Sequence, residues 1–139
     1  GHPLGAAAGL ANLDILEREK LTENARDTGS YLQEQFKNSF EDHPLVGEVR
    51  GVGLLLALEF VADKSKKLRF DASWKVGAKV SAACLEQNLI ARAMPDGDIL
   101  GFAPPLSITK KEVDDIVTRT TKALNSVADQ LTKGYSWKG

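Results

Sequence analysis

The chain has 139 residues, 42% of them hydrophobic and 27% charged, the balance of one ordinary globular domain. Its 18 basic and 19 acidic residues leave a net charge of −1, so there is no global field to draw in nucleic acid or an anionic membrane. A single cysteine, Cys84, excludes an intramolecular disulfide and a cysteine-built metal site and fits a reducing compartment such as the cytoplasm.

The first residues, Gly1-His2-Pro3, carry no initiator Met and none of the regions of a signal peptide. The chain therefore reads as a piece of a longer one. Proline is tolerated in the first turn of a helix. From there apolar residues recur at Leu10, Leu13, Leu16, Leu21, Ala25, Leu32, Phe36 and Phe40, a spacing that predicts one long helix or two helices with a break. Gly5 and Gly9, among Ala6, Ala7 and Ala8, suit either close packing at a helix start or contact with a neighbouring domain or subunit.

His43-Pro44 ends the helical region, because proline biases its predecessor away from helix. Val46 to Val61 is aliphatic and β-branched. Alternation places Val52, Leu54, Leu56, Leu58 and Phe60 on one face, with Leu55, Ala57 and Val61 on the other, so both faces are expected to be covered. Gly51 and Gly53 predict a bulge or kink between two strand pieces. The lysine-rich stretch from Ala62 to Asp71 reads as a solvated loop, lacking the interleaved aromatics of a nucleic-acid surface.

Trp74 to Asn88 predicts a helix with Trp74, Val80, Ala83, Cys84 and Leu85 inward. Leu89–Ala93 and Ile99–Ala103, separated by the turn residues Asp96-Gly97-Asp98, predict a hairpin. Thr109 and Glu112 form a capping box, flanked by the hydrophobic staple of Ile108 and Val113. Val113, Ile116, Val117, Thr120, Leu124, Val127 and Leu131 then repeat at helical spacing. Gly134 is expected to end that helix and Tyr135–Gly139 to form a loose tail. The order helix, strands, helix, hairpin, helix implies an α+β fold, with helices packed on a mostly antiparallel sheet.

Self-contained chemistry is scarce. The two histidines, His2 and His43, lie far apart with no carboxylate at metal-motif spacing, so no metal site is expected. No nucleophile elbow or P-loop is present, and Gly51-Val52-Gly53 lacks the rest of a dinucleotide fingerprint. Cys84 falls on the apolar side of its helix and reads as a buried small hydrophobe. A Schiff-base lysine needs a desolvated or otherwise tuned setting, whereas all 12 lysines have polar neighbours. Arg92 stands apart, set among Ile90, Ala91, Ala93 and Met94 at a predicted strand before a turn. Spacing leaves two roles open: an ion pair with a neighbouring acid, which it favours, or two-pronged binding of a ligand carboxylate.

Three segments carry a resemblance. "GHPLGAAAGLANLDILEREKL" resembles the stretch after the active-site lysine in class III aminotransferases, which depend on pyridoxal phosphate. "DHPLVGEVRGVGLLLALEFVADK" and "LIARAMPDGDILGFAPPLSITKKEVDDI" resemble small-domain segments of the same family, most closely its omega-amino acid:pyruvate branch. The resemblance implies the C-terminal small domain of the fold-type I architecture. A helical segment, residues 1–41, would lead from a large domain, and residues 42–139 would form the small α+β domain. It implies that the Schiff-base lysine, the aspartate on the pyridinium nitrogen, the residue stacked on the ring and a phosphate-binding threonine all precede Gly1. No catalytic or cofactor-binding residue is then expected within these residues, and the fragment alone is expected to be inactive. The resemblance also places Arg92 where the family holds the substrate α-carboxylate, an arginine that in this branch swings aside for substrates lacking one, and the turn at Met94–Asp98 varies in length in the family. It implies a homodimer using an amine or omega-amino acid donor and a keto acid acceptor such as pyruvate. Alternatives are an amino-group shift or decarboxylation on the same scaffold, or a non-catalytic binding or dimerisation module.

Overall fold

A computed structural model describes residues 1–138. Two helices open the chain, α1 (Pro3–Arg18) and α2 (Leu21–Phe40). The predicted break falls at Glu19-Lys20, where Lys20 adopts a left-handed conformation (φ 51°, ψ 43°). His2 caps α1, its Nδ1 accepting from the Leu4 amide at 3.2 Å. The two helices differ in how they are used. α2 sends Leu32, Phe36 and Phe40 into the core, whereas α1 has no buried residue.

Strand β1 (Val46–Val52) turns through Gly53-Leu54 into β2 (Leu55–Phe60). After a short 3-10 turn at Ala72–Trp74 come α3 (Val76–Glu86), β3 (Arg92–Ala93), β4 (Ile99–Phe102) and α4 (Lys110–Tyr135). The strands form one antiparallel sheet in the order β1-β2-β4-β3, with the helices that bury residues packed on one side, the α+β arrangement expected. Leu56, Leu58, Phe60, Leu100 and Phe102 line the inner face. Phe36 meets Phe102 and Phe40 edge-on, with ring centroids 5.0 and 5.1 Å apart.

Glycine allows α2 to lie close to the β1–β2 turn. Gly53 takes φ +54°, and a Cβ on Gly29 would fall 2.5 Å from the Gly53 carbonyl carbon. Gln33 Nε2 fastens the same turn, donating to the carbonyls of Gly53 (3.0 Å) and Leu55 (3.2 Å). Between the two strand pieces stands a hairpin turn rather than the expected bulge or kink; the shift in strand register lies at the other end, between Val46 and Glu48. The reversal also corrects the placement of Val52. It pairs with Leu55, on the opposite face to Leu54 and Leu56, and both Val52 and Leu55 are exposed. Only one face of the sheet is covered within this chain.

Lys75 is left-handed (φ 49°), so Trp74 precedes α3 and is half-buried. The buried stripe of α3 is then Val76, Gly77, Val80, Ala83 and Cys84. Leu85, one residue on, turns about 100° away and is 63% exposed. With no side-chain cap of its own, α3 borrows Asp98, whose Oδ1 accepts from the Gly77 amide at 2.9 Å. The first hairpin strand is shorter than Leu89–Ala93, pairing only at Arg92 and Ala93. The capping box of α4 forms as read, and Ile108 and Val113 of the staple are buried. α4 runs through Gly134 to Tyr135 and stops at left-handed Ser136. The expected loose tail is instead fastened at Trp137, which is buried and donates from Nε1 to the Ala62 carbonyl at 2.7 Å; Gly139 lies outside the described residues.

Candidate functional site

The outer face of the sheet brings together residues far apart in sequence. Arg50 is the register partner of Ala57, Ala57 of Gly101, and Gly101 of Arg92. Register partners share a face, so one row crosses all four strands: Arg50, Ala57, Gly101, Arg92. Steps of about 5 Å put the two arginine Cα atoms roughly 15 Å apart, at opposite edges of the sheet. The two residues between them are among the smallest available, and they leave a shallow floor.

The arginines are in different electrostatic states. Glu48 and Glu59 are directly opposed across β1 and β2, an arrangement that repels unless a cation intervenes. Arg50 intervenes, its Nη1 lying 2.6 Å from Glu48 Oε2 and 2.5 Å from Glu59 Oε2. Those hydrogen bonds, Glu59's the larger, hold its guanidinium above the usual arginine value. Arg50 is thereby committed. Arg92 is exposed, and among the described residues its side chain makes no ion pair or hydrogen bond. The ion-pair role that spacing favoured is therefore not the one adopted within this chain. Arg92 instead borders an open recess of about 690 Å³ whose other walls are mainly apolar, including Val52, Leu55, Ile90 and Met94. An unpaired guanidinium beside an apolar wall suits a ligand with a carboxylate at one end and an aliphatic body.

A larger hollow of about 910 Å³ lies where the start of α3 meets the β3–β4 turn. Its walls carry both signs, and Arg50, Glu59 and Asp98 among them are already engaged with one another or with α3. Arg92 does not line it.

The other residues weighed from sequence have structural tasks. His43 Nδ1 accepts from the Leu45 amide and its Nε2 lies 3.3 Å from Asn125 Oδ1, while burial holds its pKa below the ordinary histidine value. Cys84 is fully buried, and burial pushes its thiol up to about 11. Lys79 alone among the lysines is partly buried; it donates to the Trp74 carbonyl and lies 5.1 Å from the Tyr135 ring centroid. Among the described residues no helix is long and apolar enough to cross a membrane. Sequence reading missed Arg50 as the counterpart of Arg92, and missed Gly101. The alternation in "EVRGV" hints at a face, but the pairing of two distant strands is not legible in either one.

A family model described as aminotransferase class III matches residues 1–124. A diaminobutyrate–2-oxoglutarate transaminase of Halomonas elongata is 63% identical over 133 residues, covering 96% of this chain and 28% of that protein. A putrescine–pyruvate aminotransferase of Pseudomonas aeruginosa is 40% identical, covering 92% of this chain and 27% of that protein. Among solved structures, a transaminase from directed evolution by ancestral reconstruction superposes with a TM-score of 0.93 at 68% identity, covering 94% of this chain and 29% of that one. The omega transaminase of Pseudomonas jessenii in complex with PMP superposes at 0.88 with 39% identity, covering 96% of this chain and 29% of that one. The chain spans under a third of the length of the curated relatives it matches.

Proposed function

Because the chain belongs to the class III aminotransferases, we propose that the full-length protein is a pyridoxal phosphate-dependent enzyme. It moves an amino group from an amine or omega-amino acid to a keto acid such as pyruvate, and Arg92 holds the carboxylate. One observation carries this reading. Of the two arginines in the row across the open sheet face, Arg50 is held between two glutamates and Arg92 has no counter-ion among the described residues. The donors named for the two relatives, diaminobutyrate and putrescine, both carry two amino groups on an aliphatic chain, diaminobutyrate with a carboxylate as well, and the named acceptors, 2-oxoglutarate and pyruvate, share an α-keto carboxylate. Arg92 would recognise the group common to those acceptors.

Covalent attachment of the cofactor does not fit these residues. A Schiff-base lysine needs a desolvated or otherwise tuned setting, yet the described lysines are exposed apart from Lys79, which is occupied by the Trp74 carbonyl and the Tyr135 ring. In this proposal the attachment site belongs to the large domain, out of which residues 1–41 lead, with α2 already seated in the core of the small domain. The same proposal makes the working enzyme a cytoplasmic homodimer with neither nucleic acid nor membrane as partner.

The test is Arg92→Ala in the full-length protein. Loss of a charge-assisted, two-pronged contact should raise KM for the keto acid about 10- to 100-fold, while KM for an amine without a carboxylate stays within about twofold. An unchanged keto acid KM would remove Arg92 from substrate binding.

A further inference from the structure

Gly101, the register partner of Arg92, is a glycine for reasons of space. Its backbone is outside the left-handed region that favours glycine, and a Cβ there would collide with Met94 Cε. Its next neighbour, the Arg92 carbonyl, would lie at an ordinary 3.7 Å. The missing side chain therefore makes room for Met94 alone.

Met94 shares the outer face with Arg92, two residues back along the chain, and leans sideways into the row that Arg92 occupies. Its backbone is fixed, since its amide donates to the Ile99 carbonyl at 2.9 Å. Met94 is 36% exposed and walls the same recess as Arg92, Leu55 and Ile90. An unbranched thioether fills irregular space and yields to what presses on it.

We propose that Met94, seated in the hollow over Gly101, sets the aliphatic chain length of the 2-oxo acid accepted beside Arg92. The inference rests on the reading of Arg92 as the carboxylate anchor and adds a second determinant. Arg92 recognises the end common to all acceptors, and Met94 measures the part that differs between them.

The structure supplies substitutions that push in opposite directions. Met94→Ala deepens the recess. Gly101→Ala, whose new methyl displaces only the end of a flexible side chain, drives Met94 outward and makes the recess shallower. Full-length, cofactor-loaded protein is assayed with pyruvate, 2-oxobutyrate, 2-oxopentanoate and 2-oxohexanoate. The expected result is that Met94→Ala raises the ratio of kcat/KM for 2-oxohexanoate over pyruvate about tenfold, and that Gly101→Ala lowers it by a similar factor. The double variant should fall between the two, since the changes act on one space. Ratios within twofold of wild type in both single variants would overturn the inference. The same ratio, read as calorimetric Kd values, decides it without turnover. Arg92→Ala in the same series separates the two readings: a uniform rise in KM supports the carboxylate anchor, and no rise removes the anchor while the chain-length ratio still decides the role of Met94.

Discussion

On β2, Leu56, Leu58 and Phe60 are almost wholly buried, whereas Leu55, one residue away on the other face, is 61% exposed. The strands are the same; the difference lies in what each side faces. The inner side meets α2, α3 and α4 and accounts for the core. The outer side carries two arginines, a floor of Ala57 and Gly101, and the apolar margin of Val52, Leu55, Ile90 and Met94. Stability is concentrated on one face, which frees the other to be shaped by what it must contact.

That division can be broken most severely from inside. Phe36→Ala removes a fully buried ring packed on Phe40 and Phe102 and should cost about 3–5 kcal/mol in chemical denaturation of the 139-residue chain. Leu55→Thr, the outer-face control, should stay within about 0.5 kcal/mol; an equal loss would mean that the outer face supports the fold as well. Next in size is Gly29→Ala. Its Cβ meets backbone rather than a yielding side chain, and forcing α2 off the β1–β2 turn should cost about 1–3 kcal/mol. A midpoint equal to wild type would show that the helix can shift freely.

The smallest expected effect depends on pH. His43 has its pKa lowered by burial from the ordinary 6.5, so the unfolded chain binds the proton more readily. Its contribution is present above 6.5 and lost as pH falls through the lowered folded value. Urea midpoints should therefore drop on acidification below 6.5, and less so in His43→Asn. An outer-face substitution such as Leu55→Thr should leave that slope unchanged.

Much of this arrangement was legible beforehand wherever the signal was local. The Thr109–Glu112 box and the Ile108–Val113 staple depend on neighbours within five residues and form as read. The hairpin of β3 and β4 and the α+β order follow from turn residues and periodicity. Errors arose where a distant partner decides the outcome. Alternation sets Val52 on the face of Leu54 and Leu56 because it cannot register a reversal at Gly53. Trp137 reads as tail in the sequence because its acceptor, the Ala62 carbonyl, is 75 residues away. At the candidate site, Arg92 drew attention as a charge among apolar neighbours. Arg50 and Gly101 did not, because their meaning comes from a row of register partners that no single segment contains.

The position of α4 has a consequence for synthesis. The helix supplying Val113, Leu124, Val127 and Leu131 to the core is the last described element to leave the ribosome. At about 5–20 residues per second, several seconds separate the completion of β2 from the arrival of the share of its cover that α4 supplies, α2 having been made before it. In that interval the nascent sheet shows hydrophobic residues on both sides, with an unpaired edge ready to recruit a neighbouring chain. Arg50 and Glu48, already made and lying on the edge strand β1, place charge where such pairing would begin.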